Sequence, residues 1–130
     1  MSWKRTMVWS GLALGVLSTS ACGASAGTAS KGGSADGGAQ STLVVMSEFK
    51  FDPVNVVIKA GQPTKVTARN SGAVVHDWLV NLDGQQYQAK ANPGQTAAVE
   101  FIAPKAGTYR VVCTEPGHEQ AGMVGQLVVQ

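Results

Sequence analysis

Three residues with metal-binding side chains follow one another at equal intervals near the end of the chain. They are Cys113, His118 and Met123, and four residues separate each from the next. A second histidine, His76, precedes the cysteine by thirty-seven positions. The chain has only two histidines and two cysteines, so this group includes every histidine and one of the two cysteines. A thiolate, two imidazoles and a thioether form a soft set of ligands of the kind that binds copper.

Each of these residues also has an ordinary interpretation when it is taken singly. Cys113 could be a cysteine buried in a strand, and His76 a hydrogen-bonded histidine in a loop. His118 could be a surface histidine, and Met123 could simply fill the core. A disulfide with Cys22 is a further alternative for the cysteine, but it would join a flexible segment to a buried strand end. Because all these residue types fall in one constellation, the pattern favours metal binding.

Copper chemistry explains why this combination of ligands would be useful. Cu(I) favours sulfur and low coordination, whereas Cu(II) accepts imidazole and thiolate, so two imidazoles and a thiolate with a weak axial thioether suit both oxidation states. Such a compromise lowers the reorganisation that accompanies electron transfer. The intervening loop has suitable chemistry, since Pro116-Gly117 enforces a turn and Gly122 allows the backbone to pass closely as Met123 is delivered.

The elements that must position these residues are predicted to be strands. From Leu43 onward, short segments of alternating polarity recur between Gly, Pro, Asn and Asp, and no long stretch has a 3.6-residue apolar period. The predicted strands cover residues 43–46, 54–58, 64–70, 77–80, 97–102, 108–113 and 125–129. Seven or eight strands at this spacing predict an all-β, two-sheet sandwich. His76 and Cys113 extend inward-facing stripes at strand ends, where loops can hold them together.

The segment 107–129 resembles the C-terminal half of the blue copper proteins, the cupredoxins. Its four-residue gap between cysteine and histidine is similar to that of azurin, auracyanin and rusticyanin, and the resemblance covers residues 42–130. It implies a Greek-key sandwich, one type 1 copper per chain and electron carriage outside the cytoplasm. The ligands that it implies are His76, Cys113, His118 and Met123.

The resemblance also implies hydrogen bonds to the sulfur of the cysteine from the backbone N–H groups of Asp77 and Glu115. Asp77 stands where many members of the family have asparagine. Glu115 and Glu119 flank His118 and are expected to rim the point of electron exchange, which favours redox partners with a basic docking surface. The alternative is that these two acids are solvated and only keep a small apolar patch soluble.

The beginning of the chain has the features of an export signal. Lys4 and Arg5 precede an apolar run and small residues, and Cys22 follows directly. This order resembles a bacterial lipoprotein signal, although Thr19 stands where leucine is usual, and a plain secreted protein is the alternative. We expect a signal peptide over 1–21, a lipidated Cys22 that opens a Gly/Ser/Ala-rich linker over 22–41, and a cupredoxin domain over 42–130.

Charge and residue counts exclude several classes of function. Lys and Arg number ten against eight Asp and Glu, and without Lys4 and Arg5 the formal charge is zero, so nucleic acid is not expected as a partner. Copper enzymes with further metal centres need more histidines than this chain has. A cysteine hydrolase is disfavoured because Cys113 ends a strand and does not begin a helix. The sequence predicts a monomeric single-electron carrier, lipid-anchored to a bacterial membrane in the periplasm or at the cell surface; a copper delivery or storage protein is the alternative.

Overall fold

The alternating segments form strands along residues 38–130, the part of the chain that the computed structural model describes. The nine strands found there are β1 Gln40–Ser47, β2 Lys50–Asp52, β3 Asn55–Ile58, β4 Pro63–Asn70, β5 His76–Leu82, β6 Gln85–Ala91, β7 Thr96–Ile102, β8 Gly107–Val112 and β9 Val124–Val129. Every predicted strand is present, and its ends lie close to the predicted bounds. The all-β class is confirmed, and the number of strands is nine where seven or eight were predicted.

The strands form two sheets that pack face to face. One sheet has four strands in the order β2-β1-β4-β7, and the other has five in the order β3-β9-β8-β5-β6. Two pairs, β1 with β4 and β3 with β9, run parallel, and the remaining pairs are antiparallel. The predicted two-sheet sandwich is therefore confirmed.

Two strands escaped the sequence prediction for different reasons. The three residues of β2 are too few to show an alternation. Strand β6 reads Gln-Gln-Tyr-Gln-Ala-Lys-Ala, and its apolar side is carried only by Tyr87, Ala89 and Ala91. It lies at the edge of the five-stranded sheet, where one side of the strand needs little apolar surface.

The core lies between the two sheets and is filled by alternate residues of the strands. In β4, for example, Val66 and Ala68 are fully buried while their neighbours on the strand are more exposed. Trp78 of the five-stranded sheet stacks on Phe101 of the four-stranded sheet, with ring centroids 6.2 Å apart and planes 15° from parallel. This aromatic pair joins the two sheets.

The pairing of β5 with β8 brings two of the predicted metal ligands together at one end of the sandwich. The strands are antiparallel, with Leu79 opposite Val112. The start of β5 and the end of β8 therefore lie side by side. As a result His76, the first residue of β5, comes close to Cys113, which directly follows β8.

The predicted N-terminal features are largely outside the described residues. These are the signal peptide, Cys22 and the linker as far as residue 37. Strand β1 begins at Gln40, two residues before the predicted start of the domain, and Gln40 is paired with Thr64 of β4. Across residues 38–130, no helix has the length and apolar character needed to span a bilayer.

Candidate metal centre

The donor atoms of three predicted ligands meet at one end of the sandwich. The Nδ1 atoms of His76 and His118 are 3.2 Å apart, and the sulfur of Cys113 lies 3.4 Å from Nδ1 of His118. All three donor atoms lie within 4.8 Å of one another. The structure thus brings together one thiol and two imidazoles from β5, the end of β8 and the following loop.

Met123 is tied to the same cluster through its backbone. Its carbonyl accepts the N–H of Cys113 at 3.2 Å, and its own N–H donates to the carbonyl of His118 at 3.0 Å. The preceding Gly122 has φ +97°, a conformation that glycine adopts most readily. The Met123 side chain is fully buried, so the loop returns it to the interior of the sandwich.

Two residues of the cluster are shielded from solvent, and the third is partly exposed. His76 and Cys113 are fully buried, whereas His118 is half-buried. Cys113 has no disulfide partner among residues 38–130. Access from solvent to the three donors therefore passes beside the ring of His118.

Burial sets the protonation of the two enclosed donors. Removal from water raises the pKa of the Cys113 thiol to about 11, against the opposing effect of the backbone N–H groups of Asp77 and Glu115, which hydrogen-bond to the sulfur. Burial also lowers the pKa of His76, and a positive charge on His118 would lower it further. At neutral pH without metal, the thiol therefore holds its proton and the His76 imidazole is neutral.

Asp77 joins the two segments that carry the donors. Its carboxylate accepts the backbone N–H of Thr114 at 2.6 Å and the Thr114 hydroxyl at 2.7 Å, and it also accepts a hydrogen bond from Gln88. Burial raises the pKa of Asp77, but the hydrogen bonds from Gln88 and Thr114 outweigh burial and leave the pKa below its ordinary value. The residue is fully buried as a carboxylate with its oxygens occupied.

The loop that leads into His76 is organised by Asn70, the last residue of β4. Its side-chain amide donates to the carbonyls of Val74 at 2.7 Å and Ala91 at 2.9 Å. Its side-chain oxygen accepts the N–H of Gly72 at 2.9 Å. Ala91 belongs to β6, a strand that the sequence did not predict, so this contact of Asn70 was not predicted either.

The turn between β1 and β2 also borders the cluster, which the sequence did not predict. The ring of Phe49 meets that of His118 edge-on, with centroids 5.0 Å apart. The Glu48 carboxylate accepts the N–H groups of Ala73 and Val74, and these bonds hold its pKa below its ordinary value. Neither residue belongs to a motif, so only the three-dimensional fold could identify them.

The surface around His118 carries exposed apolar side chains. Val74 is 44% exposed and Phe49 42% exposed. Pro116 and Ala121 are exposed as well. A small apolar rim, defined by these four residues, therefore surrounds the open side of the cluster.

The two acids expected at this rim are each paired with a cation. Glu115 contacts Lys90 of β6, and Glu119 accepts from the guanidinium of Arg110 at 2.8 Å. These pairs offset the negative charge on which the expectation of a basic docking surface depends. The rim is thus closer to electrically neutral than the sequence alone indicated.

Comparison with known proteins places the chain among copper-binding relatives. A family model described as a cupredoxin-like domain matches residues 13–129. The chain is 30% identical over 112 residues to the copper-resistant cuproprotein CopI of Rubrivivax gelatinosus, covering 71% of this chain and 68% of that protein. It is 31% identical over 111 residues to auracyanin-A of Chloroflexus aurantiacus, covering 63% of this chain and 68% of that protein. The solved structure of auracyanin A, a "blue" copper protein, is 27% identical with a TM-score of 0.63 over 72% of this chain and 100% of that chain.

Proposed function

The chain belongs to the cupredoxin-like family, and from this premise and the donor cluster we propose that it is a single-electron carrier that holds one copper ion. Its ligands are His76, Cys113 and His118, with Met123 as a weak fourth ligand. The observation that carries the proposal is the convergence of two imidazole nitrogens and one sulfur at 3.2 and 3.4 Å. This set is soft and contains no carboxylate, which favours copper over a hard cation.

The spacing of the donor atoms fits a single transition-metal ion. Nitrogen and sulfur ligands lie about 2.0–2.3 Å from such an ion, so two of them on one ion are roughly 3–4 Å apart. The distances between the donors of His76, Cys113 and His118 fall in that range or slightly above it. Bound copper would supply a one-electron couple between Cu(II) and Cu(I).

The surrounding protein holds the donors in place. The backbone bonds among Cys113, His118 and Met123 close the ligand loop on itself, and Asp77 fastens the start of β5 to this loop through Thr114. Donors that are fixed by such contacts change little in position between two oxidation states. This rigidity favours electron transfer over metal exchange.

The open side of the cluster indicates where a partner would approach. His118 is the half-buried ligand, and the apolar rim lies around it. A small apolar surface with paired charges suits brief contact with a redox protein. We propose that electrons are exchanged with extracytoplasmic partners at this surface.

A copper delivery or storage protein is the second candidate, and the similarity to CopI favours it. Delivery needs ligands that a partner can reach and replace. His76 and Cys113 are fully buried, and so is Met123, which opposes rapid exchange. We therefore rank the electron carrier first.

We further propose that the protein is exported and anchored by lipid at Cys22. The support is the order of basic residues, apolar run, small residues and cysteine at the start of the sequence. A lipid anchor with a glycine-rich linker would keep the domain near the membrane while allowing it to rotate.

The test of the proposed function is the colour of the copper-loaded protein. Purified protein given one equivalent of Cu(II) should turn strongly blue or green and should bleach with ascorbate, because the Cys113 thiolate gives an intense charge-transfer band. Cys113→Ser should abolish the band, His76→Ala should weaken or alter it, and Cys22→Ser serves as the matched control that keeps it. A colourless adduct in folded protein would reject the carrier.

The same preparation separates the two candidate functions. A carrier should retain Cu(I) when it is mixed with a moderate excess of a Cu(I) chelator, because its ligands are buried. A delivery protein should lose the metal within the mixing time. Rapid and complete loss would favour the second candidate.

A further inference from the structure

The imidazole of His76 has two ring nitrogens in different surroundings. Its Nδ1 faces the donor cluster. Its Nε2 is buried and has no hydrogen-bond partner among the described residues. When the neutral imidazole binds a metal ion through Nδ1, Nε2 carries the ring proton. A buried N–H without an acceptor destabilises the folded protein. A hydrogen-bond acceptor for this N–H would therefore stabilise the site.

The Glu48 carboxylate lies beside this nitrogen and is a candidate acceptor for its proton. Its Oε1 lies 3.6 Å from Nε2 of His76. A hydrogen bond requires about 2.7–3.2 Å, so a movement of roughly half an ångström would complete one. The Glu48 side chain is 39% exposed, which leaves room for this movement.

The carboxylate is held at this place by the loop that precedes His76. It accepts the N–H groups of Ala73 and Val74. The loop is held against the end of β1, since the Ser71 N–H donates to the carbonyl of Met46 at 2.9 Å. Glu48 therefore connects the turn after β1 to the segment that presents His76.

The absence of a side chain at Gly72 makes this arrangement possible. A Cβ atom built at Gly72 would lie 2.5 Å from Oε1 of Glu48. Such a distance is too short for any real contact, so the carboxylate would have to move.

We propose that Glu48 is a positioning residue for His76: it orients the imidazole from the side opposite the donor cluster and adds one negative charge beside it. The inference rests on the proposed function, since it gives His76 a metal to bind. A carboxylate behind a ligand imidazole makes the ligand more basic and fixes its orientation. Negative charge near the site also favours Cu(II) over Cu(I). Glu48 therefore lowers the reduction potential of the bound copper.

The main experiment replaces the charge and keeps the shape. In Glu48→Gln, the amide can still accept one N–H bond from the loop but has no charge. At a fixed ambient potential, the Cu(I)-to-Cu(II) ratio should rise by about threefold to tenfold, where tenfold corresponds to 59 mV for one electron. Glu100→Gln is the matched control, because Glu100 is exposed, pairs with Lys65 in the described part of the chain and lies far from the cluster along β7. Its ratio should not change.

A second variant keeps the charge and moves it. In Gly72→Ala, the new methyl group should displace the carboxylate from the Ala73 and Val74 amides while Glu48 stays ionised. The ratio should shift in the same direction as in Glu48→Gln but by less. In the metal-free protein, the Ala73 and Val74 amide protons should exchange with solvent faster than in the wild type, by several-fold. This readout does not require copper.

The outcomes separate this inference from the proposed function. A wild-type protein without the intense charge-transfer band would overturn the proposed function and, with it, the role of Glu48 toward the metal. A blue wild type with an unchanged ratio in Glu48→Gln would overturn the role of Glu48 alone. Unchanged exchange of the Ala73 and Val74 amides in Gly72→Ala would also overturn it, because the carboxylate would then not be held by this loop.

Discussion

Asp77 accepts both the backbone N–H and the hydroxyl of Thr114, at 2.6 and 2.7 Å. The first residue follows His76 and the second follows Cys113, so this pair connects the two segments that carry the buried donors. The contact follows from the pairing of β5 with β8, in which the register of Leu79 opposite Val112 continues to Asp77 beside Thr114. Asp77, which stands where many members of the family have asparagine, therefore connects the two ligand-bearing segments in this chain.

The hydrogen bonds of Asp77 should be measurable as stability. Asp77→Ala removes three bonds from a buried site and should lower the free energy of unfolding of the metal-free protein by about 2–4 kcal/mol. Asp77→Asn should cost less, because its side-chain oxygen can still accept the Thr114 N–H. Urea unfolding at pH 7 gives these values. Asp83→Asn is the control, since Asp83 is exposed on a turn, and an equal loss in the control and in Asp77→Ala would refute the assignment.

The raised pKa of Cys113 should make the metal-free protein less stable in alkali. The pKa is about 11 in the folded state, against an ordinary value of 9.0. Above pH 9 the unfolded thiol loses its proton while the folded thiol keeps it, so unfolding is favoured as pH rises. The contribution of this group is complete below pH 9 and is lost as pH rises through 11, by about 3 kcal/mol at most. Urea midpoints of wild type and Cys113→Ala between pH 8 and 11 test this: the two curves should converge at high pH, and parallel curves would contradict the prediction.

The sequence was sufficient for the parts of the site that depend on rare residue types and on local strand patterns. Only two histidines exist to be placed, and the spacing from Cys113 to His118 and Met123 lies within one loop. Strand alternation also predicts that His76 and Cys113 extend inward-facing stripes, and both residues are fully buried. These inferences use information carried by neighbouring residues.

The remaining parts depend on pairings that no local pattern contains. Glu48 and Phe49 reach the cluster because β1 lies parallel to β4, which brings Met46 beside Asn70. Parallel pairing joins segments distant in sequence and leaves no turn signal between them. The neutral rim was missed for a related reason, since Lys90 belongs to the polar edge strand β6.

Met123 should tune the metal without being required to hold it. An axial thioether is a weak donor that favours Cu(II), so Met123→Leu should keep copper and raise the Cu(I)-to-Cu(II) ratio by about tenfold, or about 1.4 kcal/mol. Met123→Gln should lower the ratio. Spectroelectrochemical titration measures both. Met46→Leu is a matched control because Met46 is also fully buried, and copper loss from Met123→Leu but not from the control would reject the axial role.

The mature chain should begin at Cys22 and carry lipid. Intact mass spectrometry of protein extracted from bacterial membranes should show loss of residues 1–21 and added acyl mass on the cysteine. Cys22→Ser should leave the protein without acyl mass and outside the membrane fraction. An unmodified mature protein that begins at another residue would indicate a soluble exported carrier.

The paired charges at the rim should make electron exchange insensitive to salt. Glu115 is paired with Lys90 and Glu119 with Arg110, and each pair sums to zero charge near the half-buried ring of His118. Small redox probes of opposite charge report this directly. Oxidised wild type should be reduced by ferrocyanide and by hexaammineruthenium(II) at rates that change less than about twofold as ionic strength rises through 0.1 M, where the screening length is about 10 Å.

Removing one sign of charge should create the salt dependence that the wild type lacks. The double variant Lys90→Gln with Arg110→Gln leaves two unpaired carboxylates, so the cationic probe should react faster at low salt and slow as salt rises, while the anionic probe does the reverse. The double variant Glu115→Gln with Glu119→Gln leaves two unpaired cations. The anionic probe should then react faster at low salt and slow as salt rises, and the cationic probe should do the reverse. The charge-transfer band should be nearly unchanged in both variants, because the ligands are untouched. A wild-type rate with the cationic probe that falls steeply as ionic strength rises would show that Lys90 and Arg110 do not offset the two acids. The partner would then be expected to present a basic surface.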